Sequence, residues 1–586
     1  MALRWLARAS LLATSTGVVG VLGFSAAENS LEPVRPLAAF IRDCKKKNDD
    51  DATDNNGGGD KAIAAAKVVA ERPRVLVLGS GWAAQAFVRD VDTQQFDVCQ
   101  VSPVNYFLFT PLLPSTTVGT TEVRSIIESN RVIASFRNHS LSSRLAYILR
   151  MRTPREVACV EGEALEVSAS EKRVRCKNSR GDEFDLEYDR LIVAVGSQCN
   201  TFGTPGVTEN AHFLKSVRDA NTIRGAVIDS LESASCITEA TEKKRLASTV
   251  VVGGGPTGVE FAAELVDYIR SDLSNLYDEA RNARVTLIQS ADHILNTYDK
   301  KISEYAEETL AHANVDVVTN TRVLEVKESC VVVKDKKTGV VREVPYGVCV
   351  WSTGVASLPL TKALMAQASG NAQARARALR VNAGLEAMGL KDIWATGDAA
   401  AVDNPKLRAQ LKDLFAEADA DNSGYLDKDE YNNCLAIAAR KFPQSAEHIR
   451  KVAKYFADAD LDHDGRLSMT ELDAVLDAVD KKTRAYPATA QVAAQQGSWL
   501  AHRFNTDDVG AGFIYQHKGE LCYLGNEKAA AGLVGSGNQE VVLVGETVSA
   551  LWHGAYFAMM RDQRMKLKVG FDWAKARVFG RDTSRC

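Results

Sequence analysis

Two acidic stretches between residues 419 and 471 repeat one spacing of oxygen-bearing groups. Each places an oxygen at positions 1, 3, 5, 7, 9 and 12 of a loop and a glycine at position 6, where the chain must turn sharply. Hard oxygen ligands at this spacing form the cage that Ca²⁺ needs, so the sequence predicts two calcium sites. Degenerate loops that bind no ion are the alternative. The predicted ligands are Asp419, Asp421, Ser423, Tyr425 (backbone), Asp427, Glu430, Asp460, Asp462, Asp464, Arg466 (backbone), Ser468 and Glu471.

Two glycine-rich turns, Gly79-x-Gly81 and Gly253-x-Gly255, each follow a short apolar strand and precede a helical pattern. Closely spaced glycines let the backbone approach a pyrophosphate, which the N-terminus of the following helix stabilises. The first turn is a weak match, because the next strand ends at Ser102 instead of the usual ribose-binding acid. An ordinary strand–turn–helix is its alternative. The second turn carries all three glycines of the pattern and predicts a dinucleotide site.

A third turn, Gly397-Asp398, ends an apolar strand. In two-domain flavoproteins such a turn places the aspartate on the ribityl chain of the flavin. Segments 188–196 and 350–354 look like the strand ends that close each nucleotide domain. Two dinucleotide folds in one chain indicate two dinucleotides, one held tightly and one exchanged, and a flavin and a nicotinamide are the natural pair.

Composition excludes several other classes. The chain has 586 residues, which predicts two to four domains, and a net charge of −4, which gives no basic field for nucleic acid. Its eleven cysteines form no C-x-x-C, so neither a dithiol redox centre nor a zinc site is indicated. The absence of that motif also argues against disulfide reductases, which share the two-nucleotide architecture.

The N-terminal segment carries Arg4 and Arg8, several hydroxyl residues and no acid before Glu28, which is typical of a mitochondrial presequence. A secretory signal is the alternative. The apolar stretch 11–27 is almost long enough to span a bilayer and could act as an anchor. The charged, glycine-rich segment 44–61 cannot bury enough apolar surface to fold, so we predict a linker there.

Several longer stretches resemble one known family. Segments 102–114, 200–207 and 213–215, together with Phe579-Gly580-Arg581-Asp582 near the C-terminus, are similar to motifs of the type II (alternative, non-proton-pumping) NAD(P)H:quinone oxidoreductases. The resemblance covers roughly residues 72 to 585, and the calcium loops narrow it to the mitochondrial branch that carries EF-hands. It implies an enzyme that uses FAD to pass electrons from NADH or NADPH to ubiquinone, a homodimer, and no nucleic-acid partner.

The resemblance also assigns site residues. Glu260 is expected beside the nucleotide, with a catalytic role. The residues implied for FAD are Gly79, Gly81, Ala84, Asn105, Gly397 and Asp398. Those implied for NAD(P)H are Gly253, Gly255, Gly258, Glu260 and Gln289. Gln491 and Gln495 lie one helical turn apart and are expected to line a quinone tunnel, where an amide can hydrogen-bond a quinone carbonyl without adding charge. A polar stripe on an ordinary helix is the alternative.

The position of Gln289 bears on nucleotide choice. It ends the second strand of the second nucleotide fold, where NADH-preferring members usually carry glutamate. A neutral amide removes the repulsion of the 2′-phosphate of NADPH, so we expect this chain to accept NADPH. Alternatively, Gln289 hydrogen-bonds the ribose of NADH as a neutral substitute.

The C-terminal stretch 545–580 combines apolar residues at helical spacing, including Val548 and Trp552, with clustered bases and aromatics. This pattern predicts an interfacial helix on anionic lipid, as a quinone substrate would require. A dimer or core helix is the alternative. With the presequence and the calcium loops, it places the protein peripherally on the inner mitochondrial membrane, on the intermembrane-space face.

We therefore predict an α/β fold with two Rossmann-like dinucleotide-binding domains, an inserted α-helical EF-hand pair and a C-terminal amphipathic membrane-binding segment. Calcium is expected to tune access of quinone or nucleotide, with a purely structural insert as the alternative. A flavin-dependent reductase with a soluble acceptor, similar to ferredoxin reductases, and a non-enzymatic calcium-sensing flavoprotein are the other functions considered. The predicted segments are 1–43 (targeting or anchor), 44–71 (linker), 72–245 and 361–407 (FAD), 246–360 (NAD(P)H), 408–482 (EF-hand pair), 483–540 (flavin and quinone) and 541–586 (membrane).

Overall fold

The structure is a computed structural model that describes residues 72–135, 156–403, 406–442, 449, 456–482, 486–507, 512–534 and 540–584. The predicted targeting segment and linker lie outside these residues. The described chain divides into two compact units. The first comprises residues up to Tyr106, Ser129–Gly196 and Ser357–Tyr515, and the second comprises Phe107–Glu128, Ser197–Ala356 and the chain from Gln516 onward.

The first unit is built on a parallel sheet of five strands. In spatial order these are Ile393–Ala395, Arg190–Val193, Arg74–Leu78, Asp97–Ser102 and Val157–Glu161. The central strand reads as a continuous apolar run, as expected for a sheet covered on both faces. Two helices pack against each other beside it, Trp82–Asp90 after the first glycine turn and Ala490–Thr506, here called the amide helix.

The remaining described elements of this unit are smaller. An antiparallel sheet is formed by Glu163–Ser168, Arg173–Lys177 and Glu183–Glu187, and a parallel pair by Leu379–Val381 and Ala400–Val402. Short helices are Asn130–Ser135 and Pro359–Met365. Gly497 lets the amide helix approach closely, because a Cβ there would stand 2.1 Å from the carbonyl oxygen of Ala83.

The calcium-loop segment forms two helix–loop–helix units that share one apolar core. Its helices are Leu411–Ala418, Lys428–Lys441, Phe456–Ala459 and Met469–Lys482. The two loops are joined by an antiparallel bridge in which Leu426 and Leu467 exchange backbone hydrogen bonds of 2.9 and 2.8 Å. Both leucine side chains are fully buried in the shared core.

The second unit repeats the parallel arrangement. Its sheet runs, in spatial order, His212–Phe213, Val348–Trp351, Thr249–Val252, Val285–Ile288 and Val315–Val318. Its main helices are Val217–Ser235, Ala240–Leu246, Pro256–Ser271 and Lys300–His312. Antiparallel sheets are formed by Thr321–Val326, Cys330–Asp335 and Val341–Pro345, and by Glu520–Gly525, Lys528–Val534 and Glu540–Gly545. The two parallel sheets agree with the predicted pair of Rossmann-like folds.

Two helices end the second unit, Glu546–Met559 and Gln563–Phe579, here called the penultimate and C-terminal helices. Val548 and Trp552, which the sequence placed on a lipid-facing stripe, are instead buried, so at these positions the penultimate helix is a core helix. The C-terminal helix exposes Leu567, Phe571 and Val578. Within the described residues, no helix is long and apolar enough to cross a membrane.

Candidate functional site

The first glycine turn is packed against the protein at Gly79 and has free space beside Gly81. Gly79 has φ of +109°, and a Cβ there would meet the carbonyl oxygen of Ala194 at 2.3 Å, so only glycine suits this position. Gly81 begins the following helix and would have no atom within 4 Å of a Cβ. Ala84 is buried one turn later. This open helix N-terminus has the backbone donors that a pyrophosphate requires.

Ser102, the unexpected residue at the end of the second strand, ties down the first glycine turn. Its hydroxyl lies 2.9 Å from the hydroxyl of Ser80, which also donates to the carbonyl oxygen of Tyr106 at 2.9 Å. Asn105, predicted to contact FAD, accepts the backbone N–H of Asn130 at 2.9 Å. Its backbone is therefore fixed next to the turn.

The Gly397-Asp398 turn is held by an amide that the sequence analysis missed. The N–H of Gly397 donates to Oε1 of Gln496 at 2.7 Å, and Gln496 is only 2% exposed. The hydroxyl of Thr396 is also buried and has no hydrogen-bond partner among the described residues. An orphaned hydroxyl beside an aspartate at a strand end fits a missing polar partner, and a flavin side chain would supply one.

Gln491 and Gln495, predicted to contact quinone, are both half-buried on the amide helix, which begins after Thr489. Oε1 of Gln491 accepts the hydroxyl of Tyr515 at 3.4 Å. Of the three amides on this helix, Gln491 contacts Tyr515 and Gln496 holds the Gly-Asp turn. The quinone contacts of Gln491 and Gln495 stay a prediction. Residues 492, 493, 496, 497 and 500 are buried and recur at helical spacing. That spacing was the sequence signal that could have placed Gln496 on the buried face of the helix, apart from Gln491 and Gln495.

The second glycine turn has the same construction. Gly253 has φ of +120°, and a Cβ on Gly258 would stand 2.0 Å from the carbonyl oxygen of Gly253. Gly255, at the start of helix Pro256–Ser271, has no atom within 4 Å of a Cβ. Two glycines therefore permit close packing, and the third leaves room for a phosphate.

The Gln289 amide faces this turn. Its Oε1 accepts the backbone N–H groups of Ser290 at 3.0 Å and Gly254 at 3.4 Å, and its Nε2 donates to the carbonyl oxygen of His293 at 3.4 Å. A carboxylate could accept the first two bonds but would oppose the His293 carbonyl. Glutamine is therefore matched to both donors and acceptor at this position.

Glu260 lies on the same helix with its carboxyl inside the protein. One oxygen, Oε1, accepts both the backbone N–H of Tyr523 at 3.1 Å and the indole N–H of Trp552 at 3.3 Å. The pKa of Glu260 is raised to about 8, chiefly by burial; the neighbouring Glu264 also raises it, and the two donors lower it. Neither donor was predicted from the sequence. A carboxyl with this pKa can hold or release a proton near neutral pH.

The calcium loops have the backbone geometry of such sites. Gly424 and Gly465 both have φ of +80°. Carboxylate oxygens of Asp419, Asp421 and Glu430 lie within 4.8 Å of one another. The same holds for the three aspartates that open the second loop, Asp460, Asp462 and Asp464.

The closing glutamate of the second loop, Glu471, is not in that cluster. Its oxygens accept the backbone N–H groups of Leu461 and Ser468, each at 2.8 Å. Asp427 caps the following helix by accepting the N–H groups of Asp429 and Glu430. The hydroxyl of Ser423 donates to the carbonyl oxygen of Tyr425 at 2.9 Å. Both loops offer a donor set of carboxylates and carbonyls that fits Ca²⁺.

Comparison with known families agrees with each part of this geometry. The family described as pyridine nucleotide-disulphide oxidoreductase matches residues 73–417, the EF-hand domain pair matches residues 408–475, and the NDH2 C-terminal domain matches residues 517–582.

Relatives extend the similarity over most of the chain. The external alternative NAD(P)H-ubiquinone oxidoreductase B1, mitochondrial, of Arabidopsis thaliana is 38% identical over 543 residues, covering 87% of this chain and 91% of that protein. The external NADH-ubiquinone oxidoreductase 2, mitochondrial, of Saccharomyces cerevisiae is 34% identical, covering 88% and 82%. The structure of NDH2 from Plasmodium falciparum in complex with NADH superposes with a TM-score of 0.76 at 26% identity, covering 88% of this chain and all of that one.

Proposed function

Because this chain belongs to the alternative NAD(P)H-ubiquinone oxidoreductases, we propose that it oxidises NADH or NADPH and reduces ubiquinone without moving protons across the membrane. The balanced reaction consumes one NAD(P)H, one proton and one ubiquinone and yields NAD(P)⁺ and ubiquinol. The observation that carries the proposal is the presence of two open glycine turns, each at the N-terminus of a helix on its own parallel sheet.

The site residues have distinct tasks in this reaction. When bound, FAD supplies the redox chemistry, accepting a hydride equivalent and passing two electrons to the quinone. Gly79, Gly81, Ala84, Asn105, Gly397 and Asp398 would hold the flavin, and Gly253, Gly255, Gly258, Glu260 and Gln289 would hold the nicotinamide nucleotide. Gln491 and Gln495 would orient the quinone by hydrogen bonds to its carbonyl oxygens.

Glu260 is the residue of this set that can exchange a proton near neutral pH. With a pKa of about 8 it is mostly protonated at pH 7, and the Tyr523 and Trp552 donors stabilise the ionised form when it loses the proton. We propose that Glu260 has a catalytic role beside the nucleotide, as a carboxyl that can hold or release a proton near neutral pH. The membership of the family does not favour the soluble-acceptor and non-enzymatic alternatives.

The test is a rate comparison with the flavin-loaded enzyme. NADH and NADPH oxidation would be measured with a short-chain ubiquinone and, separately, with ferricyanide. Quinone reduction at a rate comparable to that with ferricyanide is expected. Ferricyanide reduction without quinone reduction would overturn the proposal. It would favour the alternative of a flavin-dependent reductase with a soluble electron acceptor.

Calcium regulation follows from the position of the loops in the chain. The EF-hand pair is inserted between the strand that ends at the Gly-Asp turn and the amide helix, which carries Gln491, Gln495 and Gln496. Calcium that orders the pair would bias the start of the amide helix and so tune quinone or nucleotide access. Initial rates from chelator to millimolar Ca²⁺ would test this, and unchanged rates and Michaelis constants would leave calcium a structural role.

Location and assembly complete the proposal. We place the enzyme peripherally on the intermembrane-space face of the inner mitochondrial membrane, as a homodimer, with its C-terminal segment on the lipid surface. The exposed apolar side chains of the C-terminal helix support the lipid contact. Protection from protease in mitochondria with an opened outer membrane would contradict the side, and a monomeric mass by light scattering would contradict the dimer.

A further inference from the structure

The second unit contains a cavity of about 750 Å³ against the C-terminal helix. Helix Val217–Ser235 and the short helix Val123–Ser125 contribute its other walls. The basic side chains that line it are Arg124, Arg224, Arg564 and Lys568. Thr116, Thr121, Ser125 and Ser584 also line it, and the hydroxyls of Thr116 and Ser584 already donate to Leu112 and Asp582. Several charged donors in one cavity form the kind of lining that binds a phosphate ester.

The two carboxylates in the same walls are already engaged. Oε1 of Glu122 lies 2.7 Å from Nζ of Lys575, a base outside the cavity. Asp582 accepts the N–H of Ser584 at 2.9 Å and its hydroxyl at 2.7 Å, and lies 3.8 Å from Arg224. Because Glu122 is neutralised from outside, the lining retains an excess of positive charge.

Arg124 and Arg564 are exposed, whereas part of the Arg224 side chain is buried. The Nε of Arg224 is buried and has no hydrogen-bond partner among the described residues. Nζ of Lys568 donates to the carbonyl oxygen of Arg124 at 2.8 Å. Burial and the nearby positive charge of Arg564 lower the pKa of Lys568. Like charges confined in this way are stabilised by a bound anion.

An exposed apolar stripe lies on the same helix as the cavity's bases. Arg564 and Lys568 are one turn apart, and Leu567 and Phe571, also one turn apart, are 75% and 69% exposed. Val578 and Phe579 continue the exposed apolar surface toward the helix end. Large apolar side chains grouped on a surface indicate a binding face. A ligand that satisfies both features carries a negative headgroup and hydrocarbon.

We propose that this cavity binds the phosphate headgroup of an anionic phospholipid, whose acyl chains lie along the apolar stripe of the C-terminal helix. The inference rests on the membrane association proposed above and adds a defined headgroup site to it. Soluble phosphate matches the bases but not the stripe. We infer a lipid because the bases complement a negative headgroup and the neighbouring apolar face accommodates acyl chains.

The experiment measures binding of the flavin-loaded, full-length enzyme to vesicles by sedimentation. One set contains phosphatidylcholine alone, and the other contains phosphatidylcholine with phosphatidylglycerol. The test variant is Arg564→Gln/Lys568→Gln. The matched control, Arg561→Gln/Lys566→Gln, removes two charges from the same stretch but outside the cavity lining. Retained flavin absorbance checks the fold of both variants.

The wild type is expected to prefer anionic vesicles at least tenfold. The test variant should lose roughly tenfold in affinity for them, and the control less than about threefold. Equal losses would show a diffuse charge effect and overturn the site, while leaving membrane association intact. Failure of the wild type to bind either vesicle would instead overturn the membrane association itself. Preference abolished by millimolar inorganic phosphate would assign the cavity to a soluble anion.

A second measurement does not depend on the variants. The wild type is illuminated with vesicles containing a phosphatidylglycerol that carries a photoreactive group near its headgroup, and the labelled peptides are identified by mass spectrometry. Labelling within 121–125 and 564–584 is expected. Labelling confined to other segments would overturn the proposal even if the test variant failed to fold.

Discussion

The buried carboxyl of Glu260 makes a quantitative prediction about stability and pH. The substitution is Glu260→Gln, which retains an oxygen able to accept the Tyr523 and Trp552 donors but never ionises. In the folded protein the pKa of Glu260 is raised from 4.5 to about 8, chiefly by burial. Since the folded pKa is the higher one, the stability from this group is full below pH 4.5 and declines as pH rises through 8.

The magnitude follows from linkage. One pKa unit corresponds to about 1.4 kcal/mol, so the wild type should lose roughly 3 kcal/mol between about pH 6 and pH 9 through this group alone. In Glu260→Gln that loss is absent. The free energy of unfolding of the variant should therefore rise relative to that of the wild type as pH increases. The difference between the two proteins isolates Glu260, because other titrating groups cancel.

The assay is urea unfolding of the flavin-loaded enzyme at several pH values, followed by flavin and tryptophan fluorescence. Glu304→Gln, on the exposed side of helix Lys300–His312, is the control and should parallel the wild type at every pH. A constant difference in unfolding free energy between Glu260→Gln and the wild type across this range would refute the reasoning.

Three further predictions concern the other sites. Gln289→Glu should lower the ratio of NADPH to NADH catalytic efficiency by roughly tenfold or more, through repulsion of the 2′-phosphate, and steady-state kinetics yielding an unchanged ratio would contradict it. Gln496→Leu leaves the partly buried N–H of Gly397 without its acceptor, at a cost of about 1 kcal/mol or more, so flavin should dissociate at lower urea; equal release curves would refute this. Glu430→Gln should weaken Ca²⁺ binding by at least about tenfold in calorimetric titration, because the closing carboxylate supplies two oxygens, whereas Asp429→Asn, which is not a loop ligand position, should not.

The glycine turns and calcium loops could be read from the sequence because their constraints are local. A positive φ at Gly79, Gly253 or Gly424 and a ligand at a fixed loop position are properties of a few neighbouring residues. The long motifs then identified the family, which the relatives confirm. Site assignments that rest on the resemblance, such as those of Asp398 and Gln495, remain predictions.

The positions of supporting side chains could not be read in this way. Gln496 holds a residue 99 positions away, and Trp552 holds one 292 positions away. An apolar helical stripe is the same whether it faces lipid or core, so the periodicity around Trp552 did not show that its indole N–H meets a buried carboxyl. Only the tertiary packing decides between these environments.

The bridge between Leu426 and Leu467 has a consequence for how the enzyme would respond to calcium. Fixing one loop also fixes the backbone of the other, so the first ion lowers the ordering cost for the second. Such coupling makes calcium occupancy sigmoidal, with a Hill coefficient above one and at most about two for two sites. Any effect of calcium on the rate of NAD(P)H oxidation would then develop over a narrow interval of calcium concentration.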